Sequence, residues 1–269
     1  MPFGVLVAKS CQKERFASSL VGECVRPLKL RPFATATAHR GRRGLDEVHA
    51  PSSNWPAAGD SPLAMWPNAF VKRVVDLLGA GSLLVLTAPL LVGVALAVRI
   101  GSPGPVLFSH RRVGRRGREF MCRKFRTMSP DSDRRLAEIL ARDPARRREW
   151  ESEFKLKDDP RVTRIGRFLR RTSLDELPQL WNVVRGEMSL VGPRPIVRDE
   201  LDRLDGALES YLAVRPGLTG LWQVSGRNDM DYGQRVLLEA SYTRNWSLWL
   251  DVSLLLRTVR AVFTRRGAY

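Results

Sequence analysis

The chain predicts a helix-rich α+β protein, and three observations carry that expectation. An uncharged run of 22 residues, 77–98, is long enough for one extended apolar helix. Charged stretches downstream carry apolar residues at helical spacing: Leu136, Ile139 and Leu140, then Ile165, Phe168 and Leu169. Two short apolar runs, Val106-Leu107-Phe108 and Phe120-Met121-Cys122, flank a basic turn and read as a pair of strands.

Taken in order, residues 1–66 mix Arg, Ser, Ala and Pro without helical or strand periodicity. They read as disordered, or as an extension ahead of a true start at Met65. No apolar core there is long enough for a signal peptide. Residues 67–100 read as a membrane helix. Pro89 lies past its middle, where it removes a hydrogen bond and kinks the helix. Lys72 and Arg73 precede the apolar run, and Arg99, Arg111, Arg112, Arg115, Arg116 and Arg118 follow it. A helix that crosses a membrane keeps its cations on one face. Cations at both ends instead favour a re-entrant hairpin that bends at Pro89 and returns, over a kinked crossing. Thr87 is placed to relieve the backbone freed by the proline.

Residues 101–269 read as one further domain. A turn, Gly101-Ser102-Pro103-Gly104-Pro105, leads to the strands and the basic hairpin turn 113–118. Residues 131–157 suit a solvated helical pair. After Pro160 a short helix should end near Arg171. Residues 236–263 set Trp246, Trp249, Leu250, Leu254, Leu255 and Val259 beside Arg244, Arg257 and Arg260. An interfacial amphipathic helix presents that pattern, and a core helix fits it equally.

Lys and Arg number 45 against 28 Asp and Glu, a net charge of +17. The partners this admits are nucleic acid, an anionic membrane or polyanionic small substrates. Aromatic residues at 8% are ordinary and give no stacking platform for single strands. Cys11, Cys24 and Cys122 lie far apart, and His39 forms no cluster with them. Neither a disulfide framework nor a zinc site is expected, and a reducing compartment is.

Residues 172–195, TSLDELPQLWNVVRGEMSLVGPRP, hold the candidate chemistry. Asp175 and Glu176 read as a helix start, with Ser173 as N-cap and Glu176 closing a capping box. Alternatively Asp175 is the cap and Pro178 falls in the first turn. Acids there can simply complement the helix dipole. The same dipole would keep a carboxylate ionised, ready as a nucleophile or metal ligand. Pro193 and Pro195 bias Arg194 to an extended backbone, which suits a guanidinium fork that binds phosphate. Lys124, Arg126, Arg170 and Arg227 also sit close to turns. The glycine turns at 216–220 and 225–228 either let the backbone approach a ligand or turn a corner. Acids near rigid cations suggest phosphoryl chemistry.

With these pieces in order, residues 70–269 resemble the bacterial sugar transferases, the monotopic polyprenyl-phosphate hexose-1-phosphate transferases. The markers are Lys72-Arg73, Pro89, Gly104-Pro105-Val106-Leu107-Phe108, Arg112-Val113-Gly114 and Lys124-Phe125-Arg126-Thr127-Met128. Asp159-Pro160-Arg161-Val162-Thr163, the 173–179, 191–195 and 216–220 segments, Gly226-Arg227-Asn228 and Trp246-Ser247-Leu248-Trp249-Leu250-Asp251 follow in order. The resemblance implies that residues 101–269 are a cytosolic catalytic domain, α-rich with a small sheet. It also implies transfer of sugar-1-phosphate from a UDP-sugar to undecaprenyl phosphate, with Mg²⁺, at the cytoplasmic face of the bacterial inner membrane. Asp175 would be the nucleophile, with Glu176 its partner, both available to the metal. Lys124, Arg126, Arg170, Arg194 and Arg227 would bind phosphates or nucleotide. Membrane lipids are expected partners and nucleic acid is not; a homodimer is compatible. The chain departs from the family pattern at Ala88, at Ser109-His110-Arg111 and at Glu239. The competing classes are a non-catalytic basic protein that binds membrane or nucleic acid, and a membrane scaffold in which Asp175 and Glu176 only cap a helix.

Overall fold

The computed structural model describes residues 61–153, 156, 158–225 and 232–264. The disordered reading of residues 1–60 and the glycine turn containing Arg227 fall outside the described residues. Within the 1–66 segment, Ser61 and Leu63 are buried. The Ser61 hydroxyl accepts the Leu63 amide at 3.2 Å and donates to the Thr243 carbonyl at 2.7 Å. Leu63 enters the main core.

Helix α1, Trp66–Gly101, is one 36-residue segment with Pro89 inside it, and it is long and apolar enough to cross a membrane. The proline deprives the Val85 carbonyl of its donor. Thr87 does not serve that carbonyl; its hydroxyl donates to Leu83, one turn from its own position, at 2.6 Å. Two stretches of α1 are buried, one through Lys72, Asp76 and Ala80 and one through Val94 and Val98. Between them Val85 and Leu86 are 78% and 77% exposed.

The basic flank expected outside a membrane points inward instead. Lys72 Nζ meets Asp251 Oδ2 at 2.6 Å. The terminal nitrogens of Arg73 donate to the Val183 and Val184 carbonyls. A buried cation must be paired, and these two bind α1 to the domain.

Strands β1, Leu107–Val113, and β2, Glu119–Phe125, form the predicted antiparallel pair. Their turn places Arg116 and Gly117 at φ 59 and 73. The solvated pair follows as α2, Ser132–Arg142, and α3, Pro144–Glu153. Helix α4, Arg164–Thr172, starts at Thr163, whose side chain accepts the Gly166 amide at 2.9 Å. A Cβ on Gly166 would strike the Thr127 carbonyl, so glycine lets α4 lie against the chain leaving β2.

Helix α5, Gln179–Val184, is fixed to β2 by Asn182. Its amide nitrogen donates to Met121 O at 2.8 Å, and its oxygen accepts from Arg123 N at 3.2 Å. Strands β3, Ser189–Val191, and β4, Gly217–Thr219, pair in parallel. A Cβ on Gly192 or Gly217 would meet the other's backbone. The turn at 216–220 therefore brings backbone against backbone.

Helices α6, Leu208–Ala213, and α7, Leu221–Ser225, precede α8, Tyr232–Arg244, and α9, Leu248–Thr264. Two helices thus occupy the stretch read as one. Trp246, between them, and Leu254 of α9 are buried, while Trp249, Leu256 and Val259 are exposed. The core reading holds for one face of α9, and the other face is exposed. Leu180, Val183, Met188, Leu190, Tyr242 and Leu254 gather α5, β3, α8 and α9 into the main core. Each such side chain contributes roughly 1.5–3 kcal/mol of burial.

Candidate active site

A cleft of about 1640 Å³ opens beside β2, α4 and the loop after β3. Asp175 and Glu176 stand in it on a 3₁₀ turn, Leu174–Glu176. Ser173 builds that turn in an unexpected way. It takes a left-handed conformation, φ 57, ends α4, and makes no side-chain cap bond. Neither predicted cap forms, because the acids lie on a separate turn and Pro178 introduces α5.

The electrostatics differ from the sequence expectation for the same reason. A three-residue turn has almost no aligned dipole to hold an acid ionised. Asp175 is 9% exposed, and burial, followed by the Glu176 carboxylate, pushes its pKa up to about 6. Lys124 and then Arg170 act against that rise. Lys124 Nζ lies 2.5 Å from Glu176 Oε1. Arg170, in the last turn of α4, donates Nε to Thr127 Oγ1 at 3.0 Å. Burial lowers the Arg170 pKa, and Asp175 opposes that shift most strongly.

Arg194 enters from the loop after β3. Its amide donates to Glu239 Oε1 at 3.2 Å, and its guanidinium lies 5.2 Å from the Trp222 ring. Burial and then the charge of Arg235 lower its pKa. Arg235 lies 5.0 Å from the same ring and holds Glu239 at 3.2 Å. The cleft therefore brings together Asp175, Glu176, Lys124, Arg170 and Arg194.

Arg126 also lines the cleft, but its fork is occupied. Its terminal nitrogens donate to Pro103 O at 2.7 Å and Ser102 O at 2.6 Å. In place of the open phosphate ligand expected from sequence, it latches the turn after α1, where Gly104 adopts φ +115. Arg227 lies outside the described residues. Arg112 was not predicted as a site residue, yet it lines the cleft. It pairs with Phe120 across the hairpin, two-residue steps from His110–Cys122 and Phe108–Lys124, so all six share a face. The signal was the strand period counted back from Lys124.

Apolar walls extend this polar end: Gly79 and Leu83 come from α1, and Leu255, Val259 and Val262 from α9. Among the described residues no group of three or more His, Cys, Asp or Glu forms a preformed metal cage. Two adjacent carboxylates suit a hard cation that completes its shell with water and substrate phosphates, as Mg²⁺ does.

Comparison with known proteins shows the family. Residues 67–265 match the family model described as bacterial sugar transferase. The chain is 53% identical over 207 residues to a UDP-galactose-lipid carrier transferase of Erwinia amylovora. It is 51% identical over 207 residues to an undecaprenyl-phosphate galactose phosphotransferase of Salmonella typhimurium. Each match covers 77% of this chain and 43% of the relative, so the chain spans under half the length of these two proteins. An exopolysaccharide production protein ExoY of Sinorhizobium fredii is 50% identical over 198 residues, 74% of this chain and 88% of the relative. The chain belongs to the bacterial sugar transferase family.

Proposed function

We propose that this chain transfers sugar-1-phosphate from a UDP-sugar to undecaprenyl phosphate, early in the assembly of an exported polysaccharide. An Asp175 carboxylate oxygen attacks the β-phosphorus of the donor, and the bond to the bridging oxygen breaks to release UMP. A phosphate oxygen of the lipid then attacks the same phosphorus, returning the Asp175 carboxylate and forming a diphosphate-linked lipid sugar. Both substrates are anionic, so the attack needs fixed positive charge. Lys124, Arg170 and Arg194 supply it from three separate elements. Glu176, with Asp175, would hold Mg²⁺, which when bound neutralises phosphate charge. The supporting observation is a buried acid, Asp175, that faces cations in a cleft with apolar walls from α1 and α9.

The membrane seat is supported by α1. Gly79 lies against Leu190, and Val94 and Val98 pack with Phe125 and Leu169. From Ala80 to Val94 a helix rises only about 21 Å at 1.5 Å per residue. The hydrocarbon layer is roughly 30 Å thick. A domain that packs on both positions does not leave the helix room to cross, which favours a re-entrant arrangement at the cytoplasmic face. The exposed Trp249, Leu256 and Val259 of α9 suit the same interface.

The test is to incubate the protein with donor alone and examine it by mass spectrometry. UDP-galactose is the first donor to try, because two close relatives are named for galactose. The reading requires a hexose-phosphate adduct on Asp175 and stoichiometric UMP. Product formed with an adduct elsewhere, or with none, refutes it.

A further inference from the structure

A second group of cations lies outside the cleft. Arg73 places its terminal nitrogens on Val183 O at 2.7 Å and Val184 O at 2.9 Å, at the end of α5. Arg215, just before β4, donates Nε to the Gly186 carbonyl at 2.8 Å, two residues further on. Arg115 opens the 115–117 turn at the tip of the β1–β2 hairpin, and that turn packs beside α6, which leads into Arg215. Arg115 is half-buried, and its Nε atom is buried with no hydrogen-bond partner among the described residues.

These guanidinium groups act on one another. Burial and then Arg215 lower the Arg115 pKa, and burial and then Arg73 lower that of Arg215. Among the described residues no carboxylate forms an ion pair with any of the three. The acid that acts on Arg215 is Asp76, and Asp76 Oδ1 already accepts from Ser189 Oγ and Leu190 N, each at 2.9 Å. The helix-end carbonyls account for Arg73 and for one nitrogen of Arg215. They do not account for Arg115. A buried guanidinium nitrogen without an acceptor, beside a second cation, calls for an anion.

We propose that Arg115 and Arg215, backed by Arg73, form a second phosphate-binding site, separate from the catalytic cleft. Its ligand chemistry is a phosphate ester, and the favoured source is an anionic phospholipid headgroup. Arg73 lies four residues before the uncharged run. On the same helix Trp66 and Phe70 stack at 5.7 Å and are 76% and 56% exposed, as rings at headgroup level are. The lipid source rests on the membrane seat proposed above; the phosphate site itself does not.

The full chain is reconstituted in phosphatidylcholine nanodiscs containing phosphatidylglycerol, and retained lipid is counted by native mass spectrometry. R115Q is the deciding variant, because it breaks no described hydrogen bond. R215Q accompanies it, and R142Q removes the same charge from the solvated helix α2. Wild type and R142Q should retain phosphatidylglycerol. R115Q and R215Q should retain about tenfold less, as expected for one lost charge-assisted contact. A parallel arm titrates inorganic phosphate without lipid. Phosphate binding that R115Q abolishes, with lipid retained equally by all, keeps the site and makes soluble phosphate its source. Equal lipid retention with no such phosphate binding overturns the site, and so does an equal loss in R142Q. UMP release is measured on the same preparations. Its absence in wild type would refute the proposed transfer while leaving the lipid count to decide this site.

Discussion

Asp175 and Asp251 are both buried, 9% and 4% exposed, and they are held in opposite ways. Asp251 accepts from Lys72 Nζ at 2.6 Å and Trp246 Nε1 at 3.0 Å, and faces the Tyr242 hydroxyl at 2.8 Å. Asp175 has no side-chain hydrogen-bond donor among the described residues. Its neighbouring cations are engaged elsewhere, Lys124 with Glu176 and Arg170 with Thr127. A carboxylate whose lone pairs are filled is a joint. One that feels positive charge but meets no side-chain donor keeps lone pairs open to an electrophile. Burial alone therefore does not distinguish a structural acid from a reactive one; the donor count does.

The comparison breaks most directly at Asp175. D175N should reduce sugar-phosphate transfer by on the order of 10³-fold or more, as loss of a nucleophile does, and should abolish the donor adduct. Full turnover in that variant would end the contrast. D251N should act on stability instead, costing about 3 kcal/mol in chemical denaturation because it strands buried Lys72. Turnover per folded molecule should persist.

Asp175 also predicts opposite responses of stability and of turnover to pH. The folded pKa of Asp175, about 6, lies above its ordinary value of 3.8. The folded state thus binds its proton more tightly, and this stabilisation is complete below pH 3.8 and lost as pH rises through 6. At pH 7.5, D175N should be more stable than wild type by up to about 2 kcal/mol, and the gap should close below the unfolded pKa. Transfer should fall as pH drops through about 6, where the nucleophile protonates.

The smallest change sharpens the role of Lys124. K124Q removes the larger cationic influence on Asp175, so the acid limb of the pH–rate profile should move to higher pH. Transfer at neutral pH should fall about tenfold. An unmoved acid limb would show that Lys124 acts on Glu176 alone.

Much of this was legible without coordinates where a few neighbouring residues decide the outcome. The charged pair α2 and α3 follows its spacing, α4 ends one residue past the expected Arg171, and β1 and β2 flank their basic turn. The predicted capping box failed although its spacing was right. Ser173 was needed as a left-handed end to α4, and one residue cannot also extend as a cap. The acceptors of Lys72, Arg73 and Arg126 were not legible for a different reason: nothing beside these residues in sequence announces them.

By itself the sequence determined the adjacent acids, the proline-bracketed arginine, the uncharged run and the end of α4, because spacing and cap chemistry act within a few residues. Tertiary structure alone decided which buried acid stays short of donors, which cations face it and which are tied elsewhere. Lys124 finds Glu176 across 52 residues, and Lys72 finds Asp251 across 179. Desolvation and charge pairing depend on distance in space, and folding sets those distances without regard to order along the chain.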